Sequence, residues 1–133
     1  MLLLNINELR RGNLVGIASF MDFKIGVVLE IRREYILVER KAEIHSSKNH
    51  RIVPIELTEE WLNKLGFCRY ENSPNKFLSP RVDGLRLMIR MDMFVSNRFF
   101  FIMNQNWAID IKSVHHLQNF FFSLTGEELK LNN

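Results

Sequence analysis

A complete two-turn helix, with both its start and its stop, is written into residues 57–67 and divides the chain into two halves that must fold mostly as strands. Thr58 is placed to cap the helix, and Glu59 and Glu60 occupy the first turn, where the helix dipole favours negative charge. Lys64 sits in the last turn, where a cation is favoured. Leu57 and Leu62 stand at the positions of a hydrophobic staple across the cap. Gly66 followed by Phe67 reads as a Schellman stop, with Leu62 as the apolar partner of Phe67. The spacing predicts a helix over residues 59–65.

Before this helix the pattern is that of short strands. Residues 14–20 are rich in apolar and β-branched side chains, and Asp22 reads as a turn. Residues 25–31 and 35–39 flank the charged corner Arg32, Arg33 and Glu34, which is a hairpin pattern. Residues 42–49 are polar, with Ser46, Ser47, Lys48 and Asn49 as the tip of an expected exposed loop. Residues 51–55 make a last short strand, limited by Pro54 to an edge or a strand end. With Gly12 and Gly16 opening the region, the expectation is a small SH3-like barrel or a curled antiparallel sheet.

After the helix, residues 69–80 are polar, with a turn at Asn72, Ser73, Pro74 and Asn75. Leu85, Leu87, Ile89, Met91 and Met93 then alternate with Arg86, Arg90 and Asp92, the period-two mark of a half-buried strand. Ser96 and Asn97 offer a turn into a strand over 99–103. A second turn at Asn104, Gln105 and Asn106 leads to another over 107–111, closing a three-stranded meander. A C-terminal helix is capped by Ser113 and stopped at Gly126. Val114, Leu117, Phe120, Phe121 and Leu124 fall on its apolar face, while His115, Asn119 and Phe122 lie elsewhere. The fold expected is α+β: one domain, 1–133, strand-rich over 1–56, helical over 57–67, a meander over 68–112 and a helix over 113–126.

Composition narrows the functions. Apolar residues are 47% and charged residues 25% of the 133, which is globular rather than disordered. The formal net charge of +3 excludes imitation of the DNA backbone, a role that demands a strongly acidic chain. No apolar run approaches the roughly 20 residues of a membrane span, and the apolar stretch at the N-terminus lacks the basic flank of a signal peptide. A single cysteine, Cys68, cannot form an intrachain disulfide and suits a reducing compartment. The expectation is a soluble cytoplasmic protein with no membrane association.

Catalytic chemistry finds little support. His115 and His116 are helical neighbours pointing about 100° apart, and His45 and His50 lie in or beside a loop, so no metal-ligand set emerges. Cys68 follows a helix C-terminus, whose partial negative charge disfavours a thiolate, and is expected to be a small buried side chain. Glycine-rich phosphate loops and nucleophile elbows are absent. No catalytic residue, metal or cofactor is expected.

Binding chemistry has better candidates. Arg86, Arg90 and Arg98 accompany Phe94, Phe99, Phe100 and Phe101 on adjacent strands. If the strands alternate as read, Arg86 and Arg90 share a face with Phe100 or Phe101. Arginine beside an aromatic ring suits protein hot spots or stacking with unpaired bases. The plainer alternative is a phenylalanine core beneath the C-terminal helix with the arginines as a solvated face. A second cationic group, Arg40, Lys41 and Arg51, brackets the polar loop. Phe122 lies off the main apolar stripe of its helix, as a protein-binding surface would require.

Three segments carry a resemblance. Residues 8–15 (ELRRGNLV), residues 55–62 (IELTEEWL) running on to Gly66 and Phe67, and residues 114–119 (VHHLQN) running on to residues 124–129 (LTGEEL) resemble a widespread group of small uncharacterised proteins of Bacteroidota genomes, prophages and phages. The blocks run from end to end in matching order, but residues 69–110 lie outside them. The resemblance implies a mobile-element setting and carries over no site residues. In that setting the chain is expected to be a non-catalytic inhibitor or accessory factor that binds a host defence protein, such as a CRISPR ribonucleoprotein effector. The alternative is a small basic module that binds single-stranded RNA or DNA directly.

Overall fold

In the computed structural model, which describes residues 4–19, 22–48, 51–95, 97–104 and 107–131, the central helix forms as its spacing predicts. It is α1, Glu59–Lys64, with the Trp61 N–H donating to Thr58 Oγ1 at 3.2 Å. Gly66 takes a φ of +87°; its N–H donates to the Asn63 carbonyl at 3.1 Å, and the Phe67 N–H donates to the Leu62 carbonyl at 2.9 Å. That pair of bonds is the Schellman arrangement. Leu57, Leu62 and Phe67 are all buried, so staple and stop close on the same core.

The protein is mixed α+β, with two five-stranded antiparallel sheets, the short helix and a C-terminal helix. The chain forms two compact units, residues 1–55 with 113–119, and residues 56–112 with 120–133. In the first unit a 3₁₀ turn, Ile6–Glu8, precedes β1 (Leu14–Ser19), β2 (Asp22–Ile31), β3 (Tyr35–Arg40), β4 (Glu43–Lys48) and β5 (Ile52–Val53). Their order is β4-β3-β2-β1-β5, and β4 and β5 stand at opposite ends, so of the two forms expected it is the open sheet, and not a closed barrel, that the described residues make. Its core gathers Leu9, Val15, Val28, Ile36, Val38 and Ile52. A register shift between Val28 and Glu30 bulges β2 against β3, a device that bends a strand and increases its twist.

Several local expectations are corrected in this unit. Asp22 opens β2 instead of turning. The polar stretch expected as a loop around Ser46 is β4, and His45 lies in it. Arg40 pairs Glu43, leaving a two-residue connection, Lys41 and Ala42, with φ of +51° and +62°. Positive φ at both positions is what a tight hairpin demands, and neither residue type announces it.

The C-terminal helix is α2, Val114–Thr125, and its first half belongs to the first unit. The His116 N–H donates to Ser113 Oγ at 3.2 Å, which is the expected cap. Buried amides then tie it down. Gln118 Oε1 accepts from the Leu14 N–H at 2.7 Å and its Nε2 donates to the Gly12 carbonyl at 3.2 Å. Asn13 Nδ2 donates to Asn119 Oδ1 at 2.8 Å, and Asn119 Nδ2 donates to the Glu8 carbonyl at 2.6 Å. The helix therefore buries His115 and Gln118 along with Val114, Leu117 and Phe121, while Leu124, expected inside, is exposed.

In the second unit β6 (Cys68–Arg69), β7 (Lys76–Leu78), β8 (Met88–Met91), β9 (Phe99–Asn104) and β10 (Trp107–Ile111) run in the order β10-β9-β8-β7-β6. The expected meander is present in β8, β9 and β10. The polar stretch before it adds β6 and β7, and β8 is shorter than its alternation suggested. Cys68, on the two-residue edge strand β6, is exposed and not buried. The core side of this sheet carries the register row Phe77, Ile89, Phe101 and Ile109, and Phe101 meets Phe120 of α2 at 4.7 Å between ring centroids. Phe20, Asn49, His50, Ser96, Gln105, Asn106 and the N-terminal residues 1–3, on which strand, loop, turn and leader readings fell, lie outside the described residues.

Candidate functional site

Period-two alternation puts the opposite set of side chains on the other face of the second sheet. Lys76 pairs Arg90, Arg90 pairs Phe100, and Phe100 pairs Asp110, so these four form one cross-strand row. Beside them, two residues along each strand, lie Leu78, Met88, Ile102 and Ala108, none of which is buried. Of these eight positions three are charged and five apolar. Sequence alternation left Phe100 and Phe101 as alternatives for the arginine face; Phe100 occupies it, and Phe101 is in the core.

Two guanidinium groups attend the Phe100 ring. Arg90 lies 5.6 Å and Arg98 5.0 Å from its centroid, both within cation–π range. Arg98 Nε is also 4.0 Å from Asp110 Oδ2, the long limit of an ion pair. Arg90, exposed overall, forms no hydrogen bond or ion pair among the described residues. Asp92, just past the end of the same strand, turns one oxygen into the loop: Oδ1 accepts from the N–H groups of Phe94 at 2.8 Å and Val95 at 3.2 Å. The Phe94 hydrogen bond, aided by that of Val95 and by Arg98 and Arg90, holds the Asp92 carboxyl below the usual aspartate range.

Asp92 thereby shapes the connection between β8 and β9, whose base is closed by the Asp92 N–H donating to the Arg98 carbonyl at 2.7 Å. The tip presents three consecutive apolar residues to water: Met93 is 61%, Phe94 97% and Val95 48% exposed. Below it opens a cavity of about 280 Å³ lined by Asn75, Arg90, Met91, Asp92, Phe94 and Phe100, among others. Asn75 fixes its wall, accepting from the Met91 N–H at 2.7 Å and donating through Nδ2 to the Met91 carbonyl at 3.2 Å. The sequence hid this tip because Met93, Phe94 and Val95 extend the apolar alternation of β8. The signal available was Asp92, whose short carboxylate can cap N–H groups two and three residues on.

The other candidates are dispersed. Arg86 stands on the same side of the second sheet as Cys68, its Nη2 3.8 Å from Sγ, but its Nε donates to the Ser79 carbonyl at 3.0 Å. Arg40 and Lys41 belong to the β3–β4 turn and Arg51 precedes β5, all in the first unit. Phe122 is 40% exposed on α2, the helix that packs on the Phe101 face and not the Phe100 face. The row at Phe100 therefore unites Arg90, Arg98 and Phe100 only. A second cavity, about 420 Å³, mixes Arg81 and Lys130 with Asp83, Glu127 and Glu128 over Leu65 and Phe121, and focuses neither sign of charge.

Among the described residues, no group of three histidine, cysteine, aspartate or glutamate side chains could hold a metal ion, and no helix is long and apolar enough to cross a membrane. Compared with family models, curated proteins and solved structures, the chain matches none.

Proposed function

We propose that this protein is a non-catalytic binding protein that engages a protein partner through the exposed face of its second sheet. The observation that carries this reading is the pair of guanidiniums over Phe100 beside an apolar tip that is exposed among the described residues. Protein hot spots are enriched in arginine and aromatic residues, and stacking on a ring restrains arginine before it binds. A single-stranded nucleic acid would ask for open aromatic faces along the sheet. Here the row offers one ring, attended by two arginines, and ends on Asp110. Direct nucleic-acid binding is accordingly the second reading.

The blocks that resemble mobile-element proteins supply internal contacts. Glu8, Gly12, Asn13 and Leu14 bond Gln118 and Asn119, and the Ile55 carbonyl accepts from the Val114 N–H at 2.9 Å. Residues 69–110, outside those blocks, carry the proposed face. This division suits a shared scaffold bearing a surface particular to this chain. On that reading the partner is a host defence protein, with a CRISPR ribonucleoprotein effector as one such target, and the protein inhibits or assists it.

The test is the double substitution Arg90→Glu with Arg98→Glu. Both side chains are exposed, so the melting temperature should stay within the effect of about ±0.5 kcal/mol usual at surfaces. Recovery of the partner from host cells by the tagged protein should be lost. Unchanged recovery with an unchanged melt would place the interface elsewhere.

A further inference from the structure

We infer that the cavity under the β8–β9 tip is a recognition site for a peptide segment that carries a large apolar side chain next to a carboxylate. The assignment rests on the protein-binding reading above and deepens it. The cavity, at about 280 Å³, has room for one large side chain and falls just short of the roughly 300–1,000 Å³ of small-molecule sites. Its apolar walls are Met91, Met93, Phe94 and Phe100, which suit an aromatic or aliphatic group.

Its charged lining is Arg90 and Asp92. Asp92 acts on Arg90 at long range but turns its Oδ1 to the Phe94 and Val95 N–H groups, and Arg90 forms no ion pair among the described residues, so its guanidinium is left to take a further carboxylate. A planar guanidinium presents paired donors that match a carboxylate in bidentate fashion. Arg98, also within cation–π range of the ring, adds a second cation beside Phe100, although Asp110 draws on it at 4.0 Å. An incoming segment would set its apolar side chain into the cavity, cover it with Phe94 and pair its acid with Arg90. The backbone of the tip is already held by Asp92, which lowers the ordering cost of closing on such a segment.

An anionic membrane is the less fitting occupant. Three cations, Lys76, Arg90 and Arg98, share this region with Asp92 and Asp110, whereas lipid-binding clusters gather about 4–8 lysines and arginines. A concave wall also selects a protruding side chain and not a flat surface.

The experiment pans a random displayed-peptide library against the immobilised full chain, and repeats it with Arg90→Gln and with Phe94→Ser. Phe94 is 97% exposed, so its replacement leaves folding intact, and a thermal melt checks both variants. The expected result is a consensus pairing an aromatic or aliphatic residue with aspartate or glutamate, and about tenfold weaker binding of a synthetic consensus peptide to each variant. Parallel sedimentation with phosphatidylcholine–phosphatidylserine vesicles and titration with oligouridylate define the rivals. No consensus, a consensus without an acid, binding indifferent to both substitutions, or Phe94-dependent binding to vesicles or oligouridylate in place of peptide would overturn the assignment. If the peptides fail while partner recovery stays sensitive to the Arg90 and Arg98 reversals, the cavity assignment falls alone. If both fail, the face itself is wrong.

Discussion

Gly66 shows how much one position can decide. Its φ of +87° is open to glycine and strained for a β-branched residue, and an added Cβ would come 3.0 Å from Pro80 Cγ. Gly66→Val should cost about 1–3 kcal/mol, read as a melting temperature lowered by several degrees. An unchanged melt would mean the helix stop is not held as described. His115 is a second such position. It is 2% exposed, with Nδ1 3.1 Å from Ser113 Oγ and Nε2 3.5 Å from Glu8 Oε2, where it finds no hydrogen bond. Burial pushes its pKa below the ordinary 6.5; Glu8 opposes and His116 adds slightly to the shift. The unfolded chain thus binds more protons than the folded one just below pH 6.5. Stability owed to neutral His115 is intact above that pH and is lost as pH falls through it. The urea midpoint of the wild type should drop between pH 7.5 and 5.5 more than that of His115→Gln. Equal slopes would remove His115 as the source.

Strand β4 explains a polar segment that looked like a loop. Its partners Ile36 and Val38 are buried, so the residues opposite them, Ser47 and His45, share their face, and Glu43 continues it. A strand with polar groups on its core-side face is a protected sheet edge, because a neighbouring molecule gains little by pairing with it. Glu43→Val together with His45→Val should remove the protection and shift the protein toward larger species in light scattering at the same concentration. An unaltered size distribution would assign the protection to another feature, such as Lys48. Periodicity reads burial over a run of residues, so β4, an edge with little burial, and β6 and β7, only two and three residues long, escaped detection while β1, β2, β3, β9 and β10 did not. Helix α1 was legible for a different reason. Its cap, staple and stop are bonds between near neighbours in the chain, so the information is local.

At the level of the entire chain, the formal net charge of +3 makes ionic strength the discriminating variable. Single-stranded RNA held by Lys76, Arg90 and Arg98 would lose affinity with a log–log salt slope of about −2. A protein interface anchored by Met93, Phe94 and Val95, with one acid paired to Arg90, should show a much shallower slope, because burial of apolar surface does not release counterions and only the single ion pair is screened. A fluorescence titration over a salt series separates the two, and a slope near −2 would favour the nucleic-acid reading. The candidate site was half legible on the same grounds. Arg86 and Arg90 could be put on one face from alternation, with Phe100 or Phe101 beside them, since period two assigns side chains to faces wherever a strand forms. Alternation cannot say which residues of different strands share a row, because that depends on register. Register placed Arg90 opposite Phe100, and the hairpin closed by Asp92 brought Arg98 to the same ring, whereas Arg86 turned to Ser79 and Cys68. The amide bonds of Asn13, Gln118 and Asn119 join residues 104–111 positions apart, and the exposed tip depends on a turn that breaks an apolar pattern. Local chemistry wrote the helices, the strand pattern and the charge balance into the chain. Which arginine met which ring, and which apolar residues were left in water, was decided only when distant strands paired, since side-chain proximity across strands is a property of their register and not of either strand alone.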